Sequence, residues 1–403
     1  MGGVAVVTRD PEAIRTVFTT SGEALRAGEA GAQILRPLVG DSSVLVLDGA
    51  AHLRQRRLML PSFHGERMKA YAEAMQEVTA EVVAGWPQAV PFAVHPSMQQ
   101  ITLQVIVRTV FGIDEHARMK ELGDQLTRIL EVGSRPSLLG ALLPSRRVGP
   151  WARFLREKAR GDAMVYEEIR RRRELGDAAG RTDVLSLLLE ARDEDGQPMT
   201  DEEIRDELIT LLVAGHETTA TSMAWTLERM LSHRAVWERA RAEVASVVGD
   251  APVTDEQVGR LVWLDAVIKE SLRLRPIIPM VARRLVVPMA FGGFDLPAGT
   301  IIAPSIYLTQ RRPDVYPQPD RFMPERFLGV KPDPYTWLPF GGGIRRCLGM
   351  AFALYEMKIV LATILQRVEL ELAPGASDRM ARRSITFAPA DGARVVVVNL
   401  ETH

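Results

Sequence analysis

From residue 52 to about residue 248, apolar side chains recur at steps of three and four, the period of helices that bury one face. Only proline-bearing joints interrupt this pattern, near Pro61, at 87–96, at 136–150 and near Pro198. Half the chain is therefore committed to a helical mass. Before it, residues 4–8 are β-branched and lead into Asp10-Pro11, which reads as a strand followed by a helix with Asp10 as cap and Pro11 in its first turn. A second strand is expected at 43–47. Acids at 201–203 open a long helix reaching about Ser232, where they complement the helix dipole. Another helix is expected over 254–274. After Pro276 the texture changes to short β-branched pieces at 284–287 and 301–302, separated by turns at Gly292-Gly293 and 297–300, then a proline-rich meander over 313–339. A last helix begins near Cys347 and runs to about Val368, and 395–398 closes as a strand. The expected fold is mainly α with small β-sheets, an α+β arrangement.

The chain has 403 residues, more than the roughly 100–200 of one domain, yet proline and glycine are scattered and no repeat emerges. One large compact body spanning 1–403 is expected. Apolar residues make up 46% and the formal net charge is −1, so a large core can form while no global field favours nucleic acid or anionic membrane. The arginine run at 170–173 lies in a Glu-rich helical stretch and reads as a solvated face. A single cysteine excludes an internal disulfide and any multi-cysteine zinc or iron–sulfur site. The apolar stretch 208–213 falls far short of the ~20 residues that cross a bilayer, and the start has no signal-like segment. A cytoplasmic, unanchored monomer is expected.

The lone cysteine sits in the most informative segment, Phe340-Gly341-Gly342-Gly343-Ile344-Arg345-Arg346-Cys347-Leu348-Gly349. Glycines before Cys347 let backbone pass close to a flat object, and Gly349 removes a side chain where the helix starts. Near a helix N-terminus, and beside Arg345 and Arg346, the sulfur is favoured as a thiolate. Phe340, Gly343, Arg345, Cys347 and Gly349 are spaced as in the haem-binding signature of cytochromes P450, which this loop resembles; that family is the standard case of thiolate-ligated haem. The resemblance implies the cytochrome P450 fold, haem b as cofactor and Cys347 as axial ligand to its iron.

Other segments agree. Glu270 and Arg273 share one helix face, and Pro324-Glu325-Arg326-Phe327 resembles the family's meander motif, which implies a structural Glu270–Arg273–Arg326 network. The long helix carries Ala214-Gly215-His216-Glu217-Thr218-Thr219. A zinc-protease reading of His216-Glu217 fails, because the second histidine it needs is Ala220. Thr218 lies one turn after Ala214, within reach of its carbonyl, and Gly215 would let the helix open locally. By resemblance, Glu217 and Thr218 form an acid–alcohol pair that relays protons during oxygen activation, with Ala214 and Gly215 against the haem. His52 and Arg56, four apart on an early helix, match the family's propionate-binding pair, and Arg283 and Arg345 match its further propionate ligands, with Arg284 an alternative to Arg283.

The resemblance implies a haem-thiolate monooxygenase that uses O2 and oxidises a small lipophilic substrate. Electrons would come from a separate ferredoxin or flavodoxin with its reductase, docked on the cysteine side near Arg346. A pocket is expected from the loop 31–44, the joint 137–143 and residues 211–215, 277–281 and 385–387. A peroxide-dependent or non-oxygenating enzyme and a non-catalytic haem-binding protein are the alternatives. Family members usually carry several dozen residues before the strand at 4–8, so a leader, a helix and a first strand are expected to be missing here.

Overall fold

A computed structural model describes residues 5–63, 67–113, 115–133, 149–176, 178, 180–383 and 385–400. The expected mainly helical architecture with small sheets is what the chain forms. The backbone gathers into two compact units that alternate along the sequence, one made of 1–30, 63–102 and 217–403, the other of 31–62 and 103–216.

The first unit holds the sheets. Strand Ala5–Thr8 runs parallel to Ile301–Pro304, which pairs with Arg283–Leu285, and Leu25–Arg26 closes the other edge. The helix Pro11–Thr19 starts as its sequence predicts: the Asp10 side chain accepts from the Ala13 amide at 2.9 Å, and Pro11 occupies the first turn. Its apolar face, Ile14, Val17 and Phe18, packs with Leu285, Ile302, Ile306 and Leu338 into one core cluster. A three-stranded sheet joins Phe92–Ala93, Arg394–Leu400 and Val368–Leu372, and among the described residues two hairpins stand beside these sheets, one of them turning at Gly292-Gly293 as expected.

The helix expected over 254–274 is two helices, Asp255–Arg260 and Val262–Leu274. The first opens with a reciprocal cap between Thr254 and Gln257. The last helix is Met350–Arg367, starting three residues after Cys347. Inside it Glu356 is buried, and burial lifts its carboxyl to about 8 from 4.5. Because the folded state holds that proton longer than the unfolded chain, stability falls as pH rises from 4.5 to 8. Glu356→Gln removes that slope, so the variant gains on the wild type between pH 5 and 8 in paired urea titrations. Parallel profiles would show that Glu356 does not titrate there.

The second unit carries helices Gly49–Met59, His116–Gly133, Pro150–Leu175 and Val184–Glu190 and the first half of the long helix Asp201–Leu231. The arginine run departs from expectation. Arg172 is buried, donates from Nη1 to both oxygens of Asp183 at 2.8 and 2.7 Å and reaches the Phe111 carbonyl at 3.2 Å. Asp183 in turn caps Val184–Glu190 through the Ser186 amide, so Arg172 is a buried strut, while Arg170 and Arg173 pair on the surface with Glu167 and Asp201.

The strand expected at 43–47 does not form. The Val46 and Leu47 amides turn back onto the Ser43 carbonyl at 3.0 and 3.2 Å. The Ser42 and Val44 amides, which a partner strand would have used, are taken at 2.8 Å each by Asp206 and Glu207 of the long helix. The first part of the expected loop 31–44 is helical, within Gly28–Val39.

Candidate active site

The cysteine loop is built from the chain leaving the core at Leu338, which is fully buried and whose amide donates to Gln310 Oε1 at 2.8 Å. Phe340 follows, its ring centroid 5.9 Å from that of Trp337. A short 3-10 turn, Gly343–Arg345, then lets the Cys347 amide donate back to the Phe340 carbonyl at 2.9 Å. Cys347 is exposed and Arg345 half-buried. Gly349 caps Met350–Arg367, so the sulfur-bearing residue precedes a helix N-terminus as expected.

Two of the glycines also meet a contact inside the protein. Gly343 holds φ of +65°, and a Cβ there would lie 2.1 Å from the Phe18 carbonyl oxygen; one at Gly342 would lie 2.1 Å from the Phe18 ring. They let the loop close onto helix Pro11–Thr19. Phe18 is a partner that the loop motif gave no hint of.

The same phenylalanine lies under Arg283, whose guanidinium carbon is 5.9 Å from its ring centroid. Along Arg283–Leu285 the side chains alternate, so Arg283 is 8% exposed while Arg284 points outward, 3.9 Å from Glu29.

On the long helix, Glu217 is held at both oxygens. Gln99 Nε2 donates to Oε2 at 2.6 Å, and the Thr221 hydroxyl donates to Oε1 at 3.3 Å. Fully buried His95 places Nε2 at 3.0 Å from the Thr221 hydroxyl and 3.6 Å from Glu217 Oε1. His95 and Gln99 stand four apart on helix His95–Phe111, a spacing visible in the sequence although nothing there tied them to Glu217. The preceding His216 is buried and pushed down to about 4, so it is neutral near pH 7.

Ala214 is exposed in mid-helix although Leu212 and His216 beside it are buried, and Thr218 is half-buried. The local opening expected at Gly215 is not an interruption, since Asp201–Leu231 is helical throughout. A Cβ at Gly215 would approach Ile106 to 3.2 Å, so the glycine serves close packing. His52 is buried and Arg56 half-buried, one turn apart on Gly49–Met59.

Glu270, Arg273 and Arg326 come together as the motifs implied. Arg273 donates to both oxygens of Glu270 at 2.6 and 2.9 Å, and Arg326 Nε stands 3.4 Å from the same carboxylate.

Of the expected pocket, 137–143 lies outside the described residues. Leu38, Ile209, Leu212 and Val213 line an aliphatic hollow in the second unit, bordered by the Lys158–Asp162 ion pair at 2.6 Å. Among the described residues no helix is long and apolar enough to cross a membrane.

The donor set suits a haem. One exposed thiol is offered, and among the described residues no group of three His, Cys, Asp or Glu side chains gathers for a bare ion. That suits an iron that arrives with its own equatorial ligands.

Comparison with known proteins agrees. The cytochrome P450 family profile matches residues 1–392, and the chain belongs to that family. Membership makes it a haem-thiolate protein of the monooxygenase class, with haem b held through the cysteine thiolate. Among relatives, a Mycobacterium tuberculosis protein assigned as cytochrome P450 135B1 is 44% identical, the match covering 98% of this chain and 82% of that one. One assigned as cytochrome P450 138 from the same organism is 40% identical, over 98% and 87%. Among solved structures, the cyanobacterial CYP120A1 with retinoic acid bound superposes with a TM-score of 0.86 at 26% identity, over 98% and 89% of the two chains. The haem domain of cytochrome P450DA gives 0.83 at 28%, over 98% and 88%.

Proposed function

We propose that this chain activates O2 and inserts one oxygen atom into a small lipophilic substrate, using electrons from a separate ferredoxin or flavodoxin and its reductase. The observation that carries the reading is the Glu217 carboxylate, fixed by Gln99 and Thr221 one residue before Thr218 on the helix that exposes Ala214. Bound haem supplies the oxygen chemistry itself. The protein's part is to hold it and to deliver protons. Cys347 donates its thiolate to the iron. His52, Arg56, Arg283 and Arg345 bind the propionates, Arg283 rather than Arg284 because it is the inward member of its strand. Phe340, Gly343 and Gly349 shape the loop, and Ala214 and Gly215 form the helix surface that faces the cofactor.

Glu217 accepts hydrogen bonds at both oxygens, which hold the carboxylate in place one residue before the Thr218 hydroxyl, from where the two would relay protons. The retinoic acid bound by the cyanobacterial relative supports an apolar substrate body. Arg346, exposed beside Cys347, supports docking of an acidic electron donor on that side.

Thr218→Ala tests the proton route. With a reconstituted redox chain, the variant consumes reductant while product falls and peroxide rises; Glu217→Gln slows turnover by about 100-fold. Unchanged coupling in Thr218→Ala would favour chemistry that starts from peroxide.

A further inference from the structure

The long helix spends one face on a task that the proton route does not use. Glu203, Asp206, Glu207 and Thr210, at helical spacing, all reach the segment that runs from Gly40 into helix Gly49–Met59. Glu203 Oε1 accepts from Arg54 Nη1 and Gln55 Nε2, each at 2.7 Å. Asp206 takes the Ser42 amide and Glu207 the Val44 amide at 2.8 Å, and the Thr210 hydroxyl donates to Ser43 Oγ at 2.6 Å. Gly40 is required beside them, since a Cβ there would sit 2.1 Å from an Asp206 oxygen.

Glu207 is the odd member. It is fully buried, and among the described residues its Oε1 has the Val44 amide while its Oε2 is buried with no hydrogen-bond partner. Its neighbours on its own helix are the carboxylates of Glu203 and Asp206. Cations pair with other acids of this region: Arg205 with Asp206 at 2.6 Å, Arg54 with Glu203 and Asp193, and Lys158 with Asp162. A charge there would be desolvated, uncompensated and repelled by two acids, whereas the neutral acid keeps its carbonyl oxygen for the Val44 amide.

We propose that Glu207, in its uncharged form, is a positioning residue: it latches the segment Ser42–Val44 and so fixes the helix that presents His52 and Arg56 to the haem. The latch stands on the contacts above; its consequence for the cofactor rests on the assignment of His52 and Arg56. Burial and the neighbouring acids hold the Glu207 carboxyl well above the ordinary glutamate range. The folded state thus keeps the proton after an unfolded glutamate has lost it, so the latch is strongest at low pH and is released as pH rises through the raised value.

Hydrogen exchange of peptides covering 42–47, corrected for intrinsic rate, tests this in the full-length apoprotein and holoprotein from pH 6 to 9. Haem transfer to excess apomyoglobin is followed in parallel. Wild-type protection is expected to fall at least tenfold across the range, with haem loss quickening in step. Glu207→Gln keeps an acceptor for Val44 without a charge, so its profile should be flat. Glu207→Ala should be unprotected at every pH; if it does not fold, the glutamine variant still decides. Matching wild-type and Glu207→Gln profiles would overturn the latch. Opening with pH while haem loss stays constant would overturn the positioning role, and neither result depends on the spectrum that tests thiolate ligation.

Discussion

Cys347→Ser is expected to remove the strongly red-shifted Soret band of the reduced, carbon monoxide-bound protein and to abolish turnover. Iron takes the thiolate form of cysteine as its ligand, and a serine hydroxyl at neutral pH offers no anion in its place. The loss should be one of ligation and not of folding. Cys347 is exposed, and the loop's hydrogen bond to Phe340 is made by the backbone, so it survives the substitution. Exposed substitutions of this kind usually stay within about 0.5 kcal/mol, and the variant apoprotein should melt with the wild type. Arg283, Arg345, His52 and Arg56 would still bind propionates, so some haem should remain, absorbing at shorter wavelength. A retained red-shifted band would place the axial ligand elsewhere and remove the basis for assigning this loop.

Much of this site is legible because it is local. Phe340, Gly343, Arg345, Cys347 and Gly349 lie within ten residues, and Glu217 and Thr218 are adjacent, so their spacing alone carries the pattern. Helix ends were readable for the same reason, as at Asp10-Pro11 and in the acids at 201–203. What escaped was decided by contacts between distant segments. Residues 43–47 have the composition of a strand, but the Ser42 and Val44 amides are claimed by carboxylates more than 160 positions later. The contact of Gly342 and Gly343 with Phe18, from the first helix, is not written in the loop itself. Arg172 looked solvated because its neighbours in sequence are charged, whereas its partner Asp183 lies beyond the helix end. His95 and Gln99 could not be tied to Glu217 without knowing which helix packs beside the long one.

Arg273→Met should be the most destabilising single change among the residues described. Arg273 and Glu270 are both fully buried, and the guanidinium also donates to the carbonyls of Gln310 at 2.7 Å, Pro319 at 2.8 Å and Arg321 at 3.2 Å. Removing it strands the Glu270 carboxylate with the Met323 amide at 2.9 Å and Arg326 at 3.4 Å, and leaves three carbonyls without that donor. Breaking one side of such a pair costs about 3–5 kcal/mol, against total stabilities of about 5–15 kcal/mol, so the urea midpoint should fall sharply. Glu270→Gln combined with Arg273→Met should recover part of that loss, because the fully buried carboxylate that lost its main partner is then gone. The carbonyls that Arg273 gathers belong to the irregular chain leading to the cysteine loop, and Gln310 also holds the Leu338 amide. Haem retention should therefore drop before the helices melt, with circular dichroism lagging behind the loss of the Soret band in a urea titration. Coincident transitions would show instead that the network holds the whole fold and gives the loop no separate support.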